Sequence, residues 1–304
     1  MEKRSTTRFS GPLGDMIHIY REIDQKFSKK IFGNPGGLKK HIVGSSKIDR
    51  ALDDELKNSN PLLYQLRKDQ CLMMNQPYDS SLIEKIIHKY NQMINDDKYS
   101  FVSSEVDGKT FMRSIYLAPK NLPEFADLLS GEVTDIIKGY YTNGNFSVLH
   151  VDCRRHYHVT SDVDPTLELF GLRWHCDRTT TDQLKLFVYL TDVTEEDGPL
   201  HTQNIERTKE LMRRGFYKPE DYRLPDDVIE NPKYVLKFTG PKGTAFFGNT
   251  NFLLHKAGNP YPGHYRDVVV FHFEASSKPL QEDWLEHVEP IGVEMQEIKR
   301  RSKI

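Results

Sequence analysis

Cysteine is scarce in this chain: Cys71, Cys153 and Cys176 are odd in number and far apart. Small secreted folds stapled by disulfides use closely spaced even sets, so a disulfide scaffold is excluded and a reducing compartment is expected. Long apolar runs are missing as well. No uncharged stretch approaches the ~20 residues that span a bilayer, and the opening MEKRSTTRFSGPLGDM has basic residues without the apolar run of a secretory leader. The expectation is a cytoplasmic protein with no membrane partner. Neither charge is in excess: 42 Lys and Arg stand against 44 Asp and Glu, a net charge of −2 that gives no general attraction to nucleic acid. No internal repeat or low-complexity tract is present.

What the 304 residues do contain is 37% apolar and 11% aromatic side chains, enough for a sizeable core in either two domains or one large one. The first ~120 residues read as helical. From Asp15 to Ile31, apolar residues recur at three- and four-residue spacing, and Asn34-Pro35-Gly36-Gly37 then breaks the pattern. Ser81-x-x-Glu84 reads as a capping signal for a helix carrying Ile86, Ile87, Tyr90 and Ile94, and a further helical segment runs from Pro123 to about Lys138. After Tyr140 the pattern changes to short β-branched and aromatic runs between turn residues: Phe146–Val151, Leu167–Trp174, Leu184–Leu190, Tyr234–Phe238, Thr244–Phe247, Asn251–Leu254 and Val268–Phe273. Such runs suggest a β-sandwich or jelly roll. The organisation expected is a helical region over 1–139 packed on a core over 140–277, an insertion at 201–233 and a tail over 278–304.

The segment that carries chemistry is Trp174-His175-Cys176-Asp177. In extended backbone, residues two apart face the same side, so the His175 imidazole and the Asp177 carboxylate can converge on one metal ion. Two ligands do not hold iron. A second histidine would complete a facial set that leaves three positions open for substrate and dioxygen, the ligand set of non-haem Fe(II) oxygenases. The pair alone is weak, because His150-Val-Asp152 repeats it and His272-Phe-Glu274 and His287-Val-Glu289 are glutamate versions. Downstream, however, His255 ends a strand, a Gly/Pro turn follows, and Arg266 opens the next strand eleven residues later. Paired through that hairpin, the two lie on one side of the sheet, and the guanidinium can grip a carboxylate of a co-substrate that chelates the metal at its other end. His264 competes with His255, but no arginine follows it in the Val268–Phe273 strand.

This combination resembles the phytanoyl-CoA dioxygenase superfamily of Fe(II)/2-oxoglutarate-dependent oxygenases. LKLFVYLTDVTEEDGPLH and RDVVVFHFEAS also look like that family, and the likeness covers roughly residues 140–277. The resemblance implies an α+β fold with a double-stranded β-helix (jelly-roll, cupin-like) core and N-terminal helices packed outside. It implies His175, Asp177 and His255 as iron ligands, Arg266 as partner of the 2-oxoglutarate C5 carboxylate, and Phe187 or Tyr189 as walls of that pocket. Dioxygen and 2-oxoglutarate would be consumed, succinate and carbon dioxide formed, and a C–H bond of a small molecule hydroxylated or otherwise oxidised. Family members that halogenate lack the carboxylate ligand, so Asp177 points to hydroxylation, or another C–H oxidation, over halogenation. The chain departs from the family in two places. Ala257 stands where a small hydroxyl residue or Gly often follows the distal His by two, and HTQNIERTKEL replaces a Pro-Gly-Ser-His stretch.

For the substrate, HVDCRRHYH (150–158) reads as a strand bordering the pocket rather than a second metal site, with Arg154 and His156 as contacts; Arg178 and His201 are further candidates. Arg207 reads as part of a solvated helix face. Two other functions remain open at this point: a cupin-like isomerase or hydrolase, which has no need of Arg266, and a non-catalytic metal and 2-oxoglutarate sensor. Neither the substrate nor the oligomeric state can be read from the residues.

Overall fold

The last long strand shows how the sequence divides the core. In YRDVVVFHFEA (Tyr265–Ala275, β10), Val269, Phe271 and Phe273 point to one side and join a large apolar cluster, while Val268 and Val270 point to the other and join a second. Period-two alternation therefore gives this strand two buried faces. The computed structural model describes residues 52, 54–106, 108–141, 143–160, 170–177, 183–216, 229–288, 290 and 293–302.

Ten strands are described, as β1 (Cys71–Met74), β2 (Ser100–Val106), β3 (Lys109–Ile115), β4 (Phe146–Tyr157), β5 (Leu184–Tyr189), β6 (Leu200–Gln203), β7 (Val235–Phe238), β8 (Ala245–Gly248), β9 (His255–Ala257) and β10. Seven form one sheet in the order β1-β8-β5-β10-β4-β3-β2, and three form another, β7-β6-β9. The second cluster joins Phe187, Tyr189, Phe246, Val268 and Val270 of the large sheet to Leu200 and Phe238 of the small one, so it is the filling between the sheets. On the opposite face of the large sheet pack the helices Pro61–Asp69, Ser80–Met93 and Gly131–Tyr140, through Leu66, Ile83, Ile86, Tyr90, Ile136 and Ile137. The fold is thus α+β with a jelly-roll core and helices outside it. Among the described residues no helix is long and apolar enough to cross a membrane.

The local differences from the sequence reading have physical causes. Before residue 140 only helices are read, yet β1, β2 and β3 lie there and all three join the large sheet. Helix Ser80–Met93 starts at the Asp79 cap, whose carboxylate accepts from Ser81 N at 2.7 Å, rather than at Ser81; Glu84 instead pairs with Lys242. Pro123–Leu128 is a 3₁₀ turn, and the α-helix follows at Gly131–Tyr140. The expected strand over Asn251–Leu254 is a turn, because Asn249 gathers the backbone N–H groups of Phe252 and Leu253 on its carbonyl and that of Asn251 on its side chain. Phe170–Leu172 is likewise a 3₁₀ turn instead of strand. The Asp15–Ile31 helix and residues 161–169 fall outside the described residues.

Candidate metal centre

His175 and His255 are brought face to face by a two-way backbone bridge, His175 N to His255 O and His255 N to His175 O, each 3.0 Å. This bridge extends the small sheet beyond β9 by one pair. Asp177 is fixed two residues on by its own N–H, which donates to Thr250 O at 3.1 Å. The two imidazole rings lie 4.3 Å apart between centroids.

Their tautomers follow from their partners. His175 Nδ1 lies 2.6 Å from Arg173 O and His255 Nδ1 lies 3.0 Å from Leu253 O. A carbonyl only accepts, so each Nδ1 carries a proton and Nε2 is the nitrogen that each ring can offer to a metal. Both Nε2 atoms stand 3.6 Å from Asp177 Oδ1. One ligand atom from each of the three residues falls within 4.8 Å of the other two. Burial and then the neighbouring His175 push the pKa of His255 down to about 3, which keeps that ring neutral and free to ligate. Burial would raise the Asp177 carboxyl, but the Lys185 ammonium beside it holds it well below the usual range. The site is therefore two imidazole nitrogens and one carboxylate oxygen converging on one another, a donor set that suits Fe(II).

Lys185 is the residue that the sequence reading missed. Its Nζ lies 2.6 Å from Asp177 Oδ2, so the outer oxygen of the carboxylate is occupied while Oδ1 faces the two imidazoles. The only signal was a lone charge in the otherwise apolar strand LKLFVY, at a position two before Phe187 and on the same face.

A cavity of about 540 Å³ opens beside the three residues and is walled by Phe111, Asp152, Arg154, His156 and Phe187 among others. Arg154 pairs with Asp152 in that wall. His150 and His272, alternatives within the other His-x-acid pairs, also line it, with ring centroids 5.5 Å apart, but neither belongs to the converging group. His264 sits on Asp197 at 3.0 Å instead. His201 is not among the lining residues; it stands 6.5 Å from the Trp174 ring, and burial followed by the nearby Lys256 lowers its pKa to about 4. Arg178 lies outside the described residues. Arg207 is buried, pairs with Glu210 at 2.7 Å and covers the Tyr234 ring, which replaces the expected solvated face with a packed one.

Arg266 is 3% exposed, and its Nη1 has no hydrogen-bond partner among the described residues. Its Nη2 reaches His156 Nδ1 at 3.3 Å. Burial lowers its pKa to about 10. A guanidinium in this state is costly unless an anion joins it, and no carboxylate of the described chain does. The arrangement fits a ligand that carries the missing carboxylate. Tyr189, expected to wall the same pocket, has its hydroxyl committed to Phe238 O at 2.7 Å.

No protein-family model and no curated protein sequence matches the chain. Its architecture does match solved structures. EctD from S. alaskensis with 2-oxoglutarate and 5-hydroxyectoine aligns over 81% of this chain and 86% of that one, with 14% identity and a TM-score of 0.53. The α-ketoglutarate-dependent non-haem epimerase SnoN from nogalamycin biosynthesis aligns over 76% and 90%, with 14% identity and a TM-score of 0.50. At such identity the likeness establishes the fold: the chain has the jelly-roll architecture of these 2-oxoglutarate-dependent enzymes.

Proposed function

We propose that this chain is an Fe(II)/2-oxoglutarate-dependent oxygenase that hydroxylates, or otherwise oxidises a C–H bond of, a small molecule. The observation that carries the reading is the convergence of His175, Asp177 and His255 beside a cavity near which a buried arginine lacks its anion. In this reading His175 Nε2, His255 Nε2 and Asp177 Oδ1 hold the iron, and Arg266 takes the distal carboxylate of 2-oxoglutarate. Bound together, the metal and 2-oxoglutarate would activate dioxygen, which is the oxidant: one oxygen atom would go into succinate as carbon dioxide is lost, and the other would serve the C–H oxidation.

The residues of the chain do the rest. The two carbonyls on the Nδ1 atoms hold the rings in the ligating tautomer, and Lys185 fixes the carboxylate rotamer. Phe187 and Phe111 line the cavity with apolar surface that keeps water from the reacting centre. A cavity of about 540 Å³ is of a size for a small molecule rather than a polymer. The EctD and SnoN structures, described with 2-oxoglutarate or as dependent on it, support the cofactor assignment by fold. The unpaired Arg266 speaks against the cupin-like alternative, which has no use for it.

The decisive experiment is anaerobic reconstitution with Fe(II) followed by 2-oxoglutarate. A weak visible charge-transfer band, and succinate on admission of oxygen, are the expected results. A protein that binds Fe(II) but gives neither is not this enzyme.

A further inference from the structure

Arg266 is not the only buried donor left without an acceptor. His156 is 5% exposed, lines the cavity, and its Nε2 has no hydrogen-bond partner among the described residues. The two are direct neighbours, paired across β10 and β4. A guanidinium can only donate, so the 3.3 Å contact from Arg266 Nη2 makes His156 Nδ1 the acceptor and leaves the proton on Nε2. Burial, and then the charges of Arg266 and Arg154, keep that ring neutral. Two adjacent residues therefore present one unused N–H group each, Arg266 Nη1 and His156 Nε2, and lack one acceptor with two oxygens.

Three residues around this pocket do not fill the role. Ala257, two residues after His255 and on the same strand, carries no hydroxyl; the Tyr189 hydroxyl donates to Phe238 O; Phe187 has no polar atom. We infer that His156 is a second donor to the distal carboxylate of 2-oxoglutarate, acting with Arg266 where Ala257 offers no hydroxyl. The inference rests on the oxygenase reading, and it moves His156 from the substrate to the co-substrate.

The test compares 2-oxoglutarate with pyruvate, which chelates a metal through the same 2-oxo acid end but has no distal carboxylate. Binding is measured calorimetrically on Mn(II)-loaded protein, so no turnover is needed. His156→Phe keeps a ring against Phe111, which now meets the imidazole edge-on at 5.7 Å, and removes both nitrogens. A lost bond to a charged acceptor should weaken 2-oxoglutarate about tenfold, with pyruvate and Mn(II) affinities unchanged. His156→Gln, which restores an N–H donor, should recover part of the loss. In Arg266→Met, a further His156→Phe change should cost less than it does alone, because the shared anion is already loosely held.

Equal weakening of both oxo acids would mean that His156 only shapes the site, and no weakening of either would remove it from the site; both overturn the inference while leaving the oxygenase reading standing. If the parent protein itself binds 2-oxoglutarate no better than pyruvate, the oxygenase reading fails first. Should His156→Phe not fold, the parent answers alone: in ¹⁵N-histidine spectra of Zn(II)-loaded protein, the Nε2–H signal of His156 should shift with 2-oxoglutarate and not with pyruvate, and an unmoved signal refutes the assignment.

Discussion

Arg266 and Asp267 are consecutive, both charged and both almost fully buried, yet they face opposite sides of β10. Asp267 looks outward into the helical layer and is well satisfied. Arg155 grips it with two bonds of 2.7 and 2.8 Å, Tyr90 from helix Ser80–Met93 donates to it at 2.7 Å, and Tyr265 covers the arginine at 4.1 Å. Arg266 looks inward, with one nitrogen unused and a neighbour that is short of an acceptor too. A buried ion pair with its hydrogen bonds complete holds the layers together, whereas an incomplete one raises the energy of the empty site and lowers it again when an anion arrives. In the proposed reading, one strand thus separates a structural side from a binding side by the alternation of its residues.

The largest effect on the binding side belongs to the converging triad. His255→Ala should abolish stoichiometric iron and succinate formation, because a two-ligand site does not retain Fe(II), while His150→Ala should keep the metal. Iron content and turnover equal to the parent in His255→Ala would remove the site altogether. On the structural side the largest effect is that of Asp267→Ala, which strands Arg155. Removing one partner of a buried pair costs about 3–5 kcal/mol, read as a lower denaturation midpoint with an unchanged slope. The metal ligands lie on other segments, so iron binding by the folded variant should persist.

Arg266 tests the contrast directly. Arg266→Met removes a buried charge that pairs with no carboxylate among the described residues, so stability without ligand should be unchanged or higher. Affinity for 2-oxoglutarate should fall at least about tenfold, by the worth of a charge-assisted bond, with iron affinity nearly unchanged. A loss of stability as large as that of Asp267→Ala would mean that Arg266 is a structural residue and that the two sides do not differ.

How much of this was legible follows from the kind of signal each part leaves. His175, Asp177 and His255, which the structure brings together, were singled out with Arg266 by their joint spacing and the family resemblance, since the His-x-Asp step alone recurs in the chain. β10 was legible because Val268–Phe273 is a run of β-branched and aromatic residues broken only by His272. β1, β2 and β3 were not, since CLMM is four residues long and SFVSSEV carries three serines and a glutamate; β1 is held by β8 and β3 by β4, partners distant in sequence, and β2 by its hairpin with β3. Lys185 and His156 were illegible in role for a related reason. What defines each is the atom opposite it, Asp177 Oδ2 in one case and Arg266 Nη2 in the other, and no periodicity encodes that.

Lys185→Met extends the comparison to the metal. The carboxylate would lose its outer partner and rotate more freely, so metal affinity should drop about tenfold, at the lower end of the range for residues that orient ligands. Lys185→Arg should restore part of it. An unchanged affinity for Mn(II) would show that Lys185 neutralises the site without positioning Asp177.

The smallest effect, and the finest test of the outward side, is Tyr90→Phe. Tyr90 is fully buried, and its hydroxyl donates to Asp267 Oδ1, which also receives Arg155 Nε. Deleting the hydroxyl leaves both Arg155 bonds in place, so no charge is stranded and the cost is that of one hydrogen bond to a charged acceptor, about 1.5 kcal/mol. Asp267→Ala removes the shared acceptor, after which the Tyr90 hydroxyl has nothing to bind. The double variant Asp267→Ala/Tyr90→Phe should therefore be no less stable than Asp267→Ala alone, and a double-mutant cycle should return a coupling close to the full Tyr90→Phe cost. Purely additive effects would mean that Tyr90 acts through ring packing on the sheet and that the outward network is a pair rather than a trio.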